Sequence, residues 1–247
     1  MSALILALAA GAVIGLALGA LGGGGSVLAV PALIYLLGFT PVAATTASLV
    51  IVAVTSATAL PAHARDGNVR WRTGLLFAAA GVGPAVLGGA VAGRLSETAL
   101  TCAFAAVAAV AAVRMLRPGR TAAAGHVRPV RAAGAGAGLG AVTGVLGVGG
   151  GFLAVPALVG VLGLRMREAV GTSLLVISVN SVAALAMRAG TADGLDWAVI
   201  GPFAGAAVLG AWDGKRLATK VSGGMLQRIF AVVLLTVAAF MLIDAVV

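Results

Sequence analysis

The sequence predicts an all-α, polytopic membrane protein of two inverted repeats, each a broken or re-entrant helix pair followed by three transmembrane helices. Three observations predict it. Of 247 residues, 61% are hydrophobic and 9% charged, with a mean hydropathy of +1.15, a composition that no water-exposed surface can carry. The segment Leu21 to Leu33, LGGGGSVLAVPAL, returns at Leu146 to Leu158 as LGVGGGFLAVPAL with ten of thirteen positions identical, the mark of a duplication. Equivalent loops of the two halves carry different net charge, as they would on opposite sides of a bilayer.

In the first repeat, 1–116, apolar runs cover roughly 3–21, 26–38, 42–62, 73–93 and 98–116. In the second, 132–247, they cover roughly 132–146, 152–163, 169–187, 197–212 and 225–246. The N-terminal run is apolar from Ala3 with no basic residue before Arg65, so it reads as a retained membrane segment rather than a cleaved signal. Runs such as 42–62 and 225–246 cross a hydrocarbon core of about 30 Å at about 1.5 Å per residue. The runs behind the glycine clusters reach only about 20 Å. Each repeat is therefore expected to open with a helix, a glycine break and a half-helix turning back inside the membrane, where irregular backbone survives only within protein or beside a water-filled cavity.

The polar segment Arg117 to Arg131, RPGRTAAAGHVRPVR, separates the repeats. Its four arginines, with Arg114 just before it, place it in the cytoplasm by the positive-inside rule. Counting outward from it, loops 63–72, 165–168 and 213–220 fall inside, and loops 94–97 and 188–196 outside. Loop 63–72 nets +2 where its counterpart 188–196 nets −1, and loop 94–97 nets zero where 213–220 nets +2. The repeats are thus expected to be inverted, with both termini outside. The overall charge of +9 lies between apolar runs and orients the chain, so the expected surroundings are the lipid bilayer and not nucleic acid. The single cysteine, Cys102, leaves no internal disulfide or cysteine metal cluster, and no cofactor is expected.

Inverted repeats with paired broken helices are the architecture of alternating-access transporters, whose site lies near the midplane where half-helix ends meet. Half-helices starting near Ser26 and Phe152 would aim unpaired amides and about half a positive charge each at that place, which attracts anions. The candidate binding residues there are Gly23, Gly24, Gly25 and Ser26 in the first copy and Gly149, Gly150 and Gly151 in the second. Glycine lets backbone approach a ligand; its ordinary reading is close helix packing, as expected at Gly89 and Gly93. Beyond each half-helix stand Thr45, Thr46 and Ser48, matched by Thr172 and Ser173, and then Thr55 and Ser56, matched by Asn180 and Ser181. Neutral donors suit an oxyanion that must also be released. Ser and Thr in such helices equally often satisfy a carbonyl of the preceding turn, whereas an unpaired Asn180 amide is costly in lipid.

These residues resemble the TauE/SafE group of sulfite and organosulfonate anion exporters, the TSUP family, over almost the whole chain. The resemblance rests on both glycine-proline segments, on AVGTSLLVISVNS (Ala169 to Ser181), and on HARDGNVRW (His63 to Trp71), similar to that family's loop ending in Gly-Asn-Val and Trp. It implies a multi-pass transporter of the cell membrane, the bacterial inner or plasma membrane, carrying sulfite, sulfoacetate, thiosulfate or related small anions with proton coupling. The first copy reads TTASL (Thr45 to Leu49) where the second has GTSL (Gly171 to Leu174), so the half-sites differ. All seven carboxylates fall in loops or at helix ends. His63 is then the candidate for proton coupling, an interfacial anchor being its ordinary reading.

An enzyme is not expected: there is no Gly-Lys-Ser/Thr phosphate loop, His63 and His126 lie at or in basic loops, and Ser26 has no evident paired base. A passive anion channel would use the same helix ends, and a membrane scaffold without transport is a third reading. Accumulation against a gradient separates the first from a transporter, and the effect of glycine substitutions on flux rather than assembly separates the second. Self-association into a homo-oligomer is left open.

Overall fold

Glycine, proline and hydroxyl caps set where the helices begin and end. The computed structural model describes residues 2–92, 97–116, 128–146, 151–187 and 196–246, and every element among them is helical. Helix α1 (Ser2–Leu21) stops at Gly22, whose φ of +67° favours glycine. Then α2 (Gly24–Pro31) continues into a π-wound turn, Ala32–Leu36, directly after Pro31, which has no N–H to give to the α-helical ladder. Helix α3 (Pro41–Arg65) starts on proline, with the Thr40 hydroxyl accepting from Ala43 N. Helices α4 (Trp71–Ala92) and α5 (Glu97–Leu116) complete the first half. The second half repeats the order as α6 (Pro129–Leu146), α7 (Gly151–Gly160), α8 (Met166–Met187), α9 (Trp197–Lys220) and α10 (Gly223–Val246). Asp196 and Ser222 cap α9 and α10 by accepting from Ala198 N and Met225 N.

A shift of 125 residues, the offset from Leu21 to Leu146, carries Pro31 onto Pro156, Gly38 onto Gly163, and Pro41 at the start of α3 onto Met166 at the start of α8. Contacts between helices obey the same exchange. The two most extensive, α1 with α9 and α4 with α6, turn into one another when the halves are swapped, while α2–α7, α3–α8 and α5–α10 each turn into themselves.

Small residues bring the long pairs together. Along α1, Gly11, Gly15 and Gly19 lie against Phe203, Ala207 and Ala211 of α9; along α6, Gly136, Gly140 and Gly144 lie against Phe77, Gly81 and Ala85 of α4. Residue numbers rise together on both partners, so both pairs are parallel. The 125-residue shift maps Gly11, Gly15 and Gly19 onto Gly136, Gly140 and Gly144. On α4, Gly88 also meets α6, at Ala141 and Gly144; the contacts of Gly89 and the placement of Gly93 lie outside the described residues. Helices α3 and α8 cross antiparallel at the centre, their Ser56 and Ser178 hydroxyls 2.9 Å apart.

One end of the bundle gathers charge. Glu168 accepts from Arg70 at 2.8 Å and from Arg165 at 2.6 Å, Lys215 pairs with Asp66 at 2.8 Å, and Arg167 donates to the Thr219 and Val221 carbonyls. Gln227, in the first turns of α10, donates to the Met115 carbonyl at the close of α5. Segments 63–72, 165–168 and 213–220 and the C-terminal end of α5 therefore share this end. Helix α9 runs eight residues past the apolar run that ends at 212, to Lys220, because the charges of its last turns sit where the helix leaves the apolar layer and do not break it. Of the linker, 128–131 is described and Pro129 to Arg131 open α6; 117–127 lies outside the described residues, as do 93–96, 147–150 and 188–195. Leu4–Leu21, Val42–Arg65, Met166–Met187 and Gly223–Ile243 are long and apolar enough to cross a membrane. The chain is an all-α, polytopic membrane protein.

Candidate functional site

The reversal at Gly22 folds α2 back on α1: a Cβ at Gly25 would lie 2.6 Å from Leu18 N and 2.7 Å from Ile14 O. The helix pair is therefore a hairpin, with α1 about 30 Å long and the return over 24–36 about 20 Å. The half-helices begin at Gly24 and Gly151, close to the expected Ser26 and Phe152.

The break packs on the second half. Gly22 lies against Ser173 and Val170 of α8, and a Cβ at Gly23 would collide with the Gly151 carbonyl. A Cβ at Gly151 would in turn stand 2.7 Å from Ser26 Oγ and 3.1 Å from Ile177 Cγ1. The first turns of α2 and α7 thus pass each other in contact beside the middle of α8. Ser26 and Gly151 are equivalent under the 125-residue shift, so here the duplication meets itself. The first amides of α2 follow the reversal at Gly22, and the dipoles of α2 and α7 both present their positive end at this crossing. Gly149 and Gly150 lie outside the described residues.

The hydroxyls are differently placed. Ser26 donates to Gly23 O at 2.7 Å and Ser173 to Val170 O at 2.8 Å. Thr45 and Thr46 donate to Val42 O, Ser48 to Thr45 O, Thr55 to Ile51 O and Ser56 to Val52 O. Each spends its one hydrogen on its own helix. Thr172 Oγ1 instead accepts from Arg70 N at 3.0 Å and ties the α3–α4 loop to α8. Counted from the Ser56–Ser178 crossing, Thr46 and Thr172 stand on opposite sides of it, about 24 Å apart along the helix axes. The structure brings Gly23, Ser26, Gly151 and Ser173 together and leaves Thr45, Thr46 and Ser48 nearer the other end.

Asn180 shares a face of α8 with Ser173 and Ile177, seven and three residues before it. Its Oδ1 is buried without a partner, and a half-turn of the amide would present an N–H there instead. His63 is buried in the last turn of α3, about 10 Å along the helix from Ser56. Among the described residues no cluster of His, Cys, Asp or Glu could hold a metal. The sequence reading missed Gly22 and Ile177 at the crossing; Gly22 was detectable as the glycine that follows a helix. It also missed the partners of Glu168 and Lys215, for which a single sequence holds no signal.

A sequence model of the sulfite exporter TauE/SafE matches residues 7–241. The chain belongs to the TauE/SafE family. Two proteins of Xylella fastidiosa, from strains Temecula1 and 9a5c and each named "Probable membrane transporter protein", are 33% identical to it over 248 residues, covering 97% of this chain and 95% of theirs. No solved structure matches it. This TauE/SafE protein is a multi-pass membrane transporter of the cell membrane, with a small-molecule substrate and a lipid environment.

Proposed function

We propose that this protein is a secondary transporter of small anions, sulfite or related sulfur oxyanions and organosulfonates, that works by alternating access. The observation that carries the reading is the crossing of α2 and α7, where two helix N-termini meet at Gly23, Ser26 and Gly151 inside an apolar bundle. Backbone amides bared by glycine can reach an oxyanion closely, and no fixed positive side chain lies among those contacts to hold it too firmly. The same contact supports a gated transporter over an open pore, because it leaves no gap between Gly23 and Gly151. Flux in proteoliposomes tests this. Sulfite, thiosulfate or a sulfonate should accumulate against its gradient, with sulfate and carboxylates poorer. Equal leakage of all of them without accumulation would establish a channel, and no flux from folded protein would end the reading.

The repeats are inverted in this proposal. The end of α5 meets the start of α10, its counterpart, and α3 meets α8 antiparallel, both of which support an axis perpendicular to the helices and so in the membrane plane. The charged end and the linker then face the cytoplasm. Cysteine accessibility, after replacement of Cys102, should label positions 117–131 from the cytoplasm and the C-terminus from outside. Labelling of both from one side would refute the inversion.

A further inference from the structure

The crossing leaves unused one buried imidazole, that of His63. His63 is only 5% exposed and its Nε2 has no hydrogen-bond partner, and the ring faces the backbone of Gly19. Gly19 is in the last full turn of α1 before the break and packs on Ala211 of α9. Two charges face the ring: Lys215 from α9, and Asp66 just beyond its own helix. They are bonded to each other at 2.8 Å, and Lys215 also donates to Ala62 O at 2.6 Å. From α8 the acidic group at this end is Glu168, already shared by Arg70 and Arg165. His63 thus sits where the root of the broken helix, the α3–α4 loop and the end of α9 are joined.

We propose that His63 is a proton-binding site that controls these joints. A proton from water at the charged end forms an N–H bond on the Nε2 lone pair. The ring passes from neutral to +1, and Nε2 changes from acceptor to donor. The new charge stands beside the Lys215 ammonium, and Asp66 is the carboxylate that faces both. Asp66 shifts toward the imidazolium, Lys215 loses its carboxylate and its hold on the Ala62 carbonyl, and α9 is released from the α3–α4 loop. Loss of the proton restores the Lys215–Asp66 pair. As a coupling device this rests on the transport reading, because it ties opening of one end to proton occupancy; as a proton switch it stands without it.

With only two histidines in the chain, His126→Gln leaves one imidazole for histidine-selective NMR. In that background the His63 resonances should shift with a single midpoint as the sample is acidified. Backbone protection in 62–67 and 213–220, measured as exchange relative to the intrinsic rate at each pH, should fall on acidification with the same midpoint. His63→Gln should make that protection independent of pH. Asp66→Asn should keep the His63 titration yet uncouple it from protection in α9. In proteoliposomes, His63→Gln should lose about tenfold of the stimulation given by an imposed pH gradient. The proposal is overturned if His63 does not titrate, if it titrates without any change in protection, or if His63→Gln keeps the same pH-dependent protection. If the protection behaves as expected but no anion moves, the proton switch stands and the transport reading falls.

Discussion

The glycines of the long helix pairs and those of the break approach other backbones equally closely, yet they form different joints. Along α1 and α6 the contacts repeat every four residues and map onto one another under the 125-residue shift. At the break the shift places Val148 opposite Gly23 and Gly151 opposite Ser26, and the symmetry of sequence fails. Duplication has kept the scaffold symmetric and let the crossing diverge. A ladder joint has rungs along the whole length of two long helices that must all fit at once, whereas the break joint gathers its contacts at the ends of short helices, which can yield by a small displacement.

That contrast predicts opposite failures. A Cβ at Gly15 would stand 2.6 Å from Ala207 Cα, and one at Gly140 would stand 2.7 Å from Gly81 Cα, backbone atoms that cannot move without parting the helices. Overpacking a fitted contact costs about 1–3 kcal/mol for an added methylene or two, and a Leu side chain adds more. Gly15→Leu and Gly140→Leu should therefore yield little monodisperse protein by size exclusion, with flux lost as a consequence. Gly23→Ala also collides, with the Gly151 carbonyl, but α2 can tilt to relieve it; folded yield should stay within about twofold while flux drops at least about tenfold. Normal flux from Gly23→Ala would reduce the crossing to a packing contact.

The parts of this arrangement that a single sequence disclosed were those written in periodicity and in backbone chemistry. The repeat offset and the start of a short helix within each glycine cluster follow from glycine and proline, whose effect on backbone is local. Which hydroxyls face a ligand was not disclosed, since Ser26, Thr46 and Ser173 can each turn to a carbonyl of their own helix and all do so. Gly88 meets α6, a face that spacing alone does not choose. The burial of Glu168 depends on Arg70, 98 residues away in sequence, which is a tertiary fact.

Ser26 offers the finest test, because its hydroxyl stands beside Gly151 at the crossing of α2 and α7, and Gly151, its counterpart, has none. Its hydrogen is held by the Gly23 carbonyl at 2.7 Å. Ser26→Ala therefore removes at most one bond to a ligand, about 1 kcal/mol or fivefold in affinity. Ser26→Asp sets a carboxylate at the positive ends of two helices, where it occupies the field that an anionic substrate would use. Binding of sulfite or a sulfonate to the purified variants should thus fall far more for Asp than for Ala, and the same order should hold for Asn180→Asp against Asn180→Ala. Equal binding by the Asp and Ala variants at neutral pH would show that the ligand is not an anion held by these helix ends, however well the glycine ladders behave.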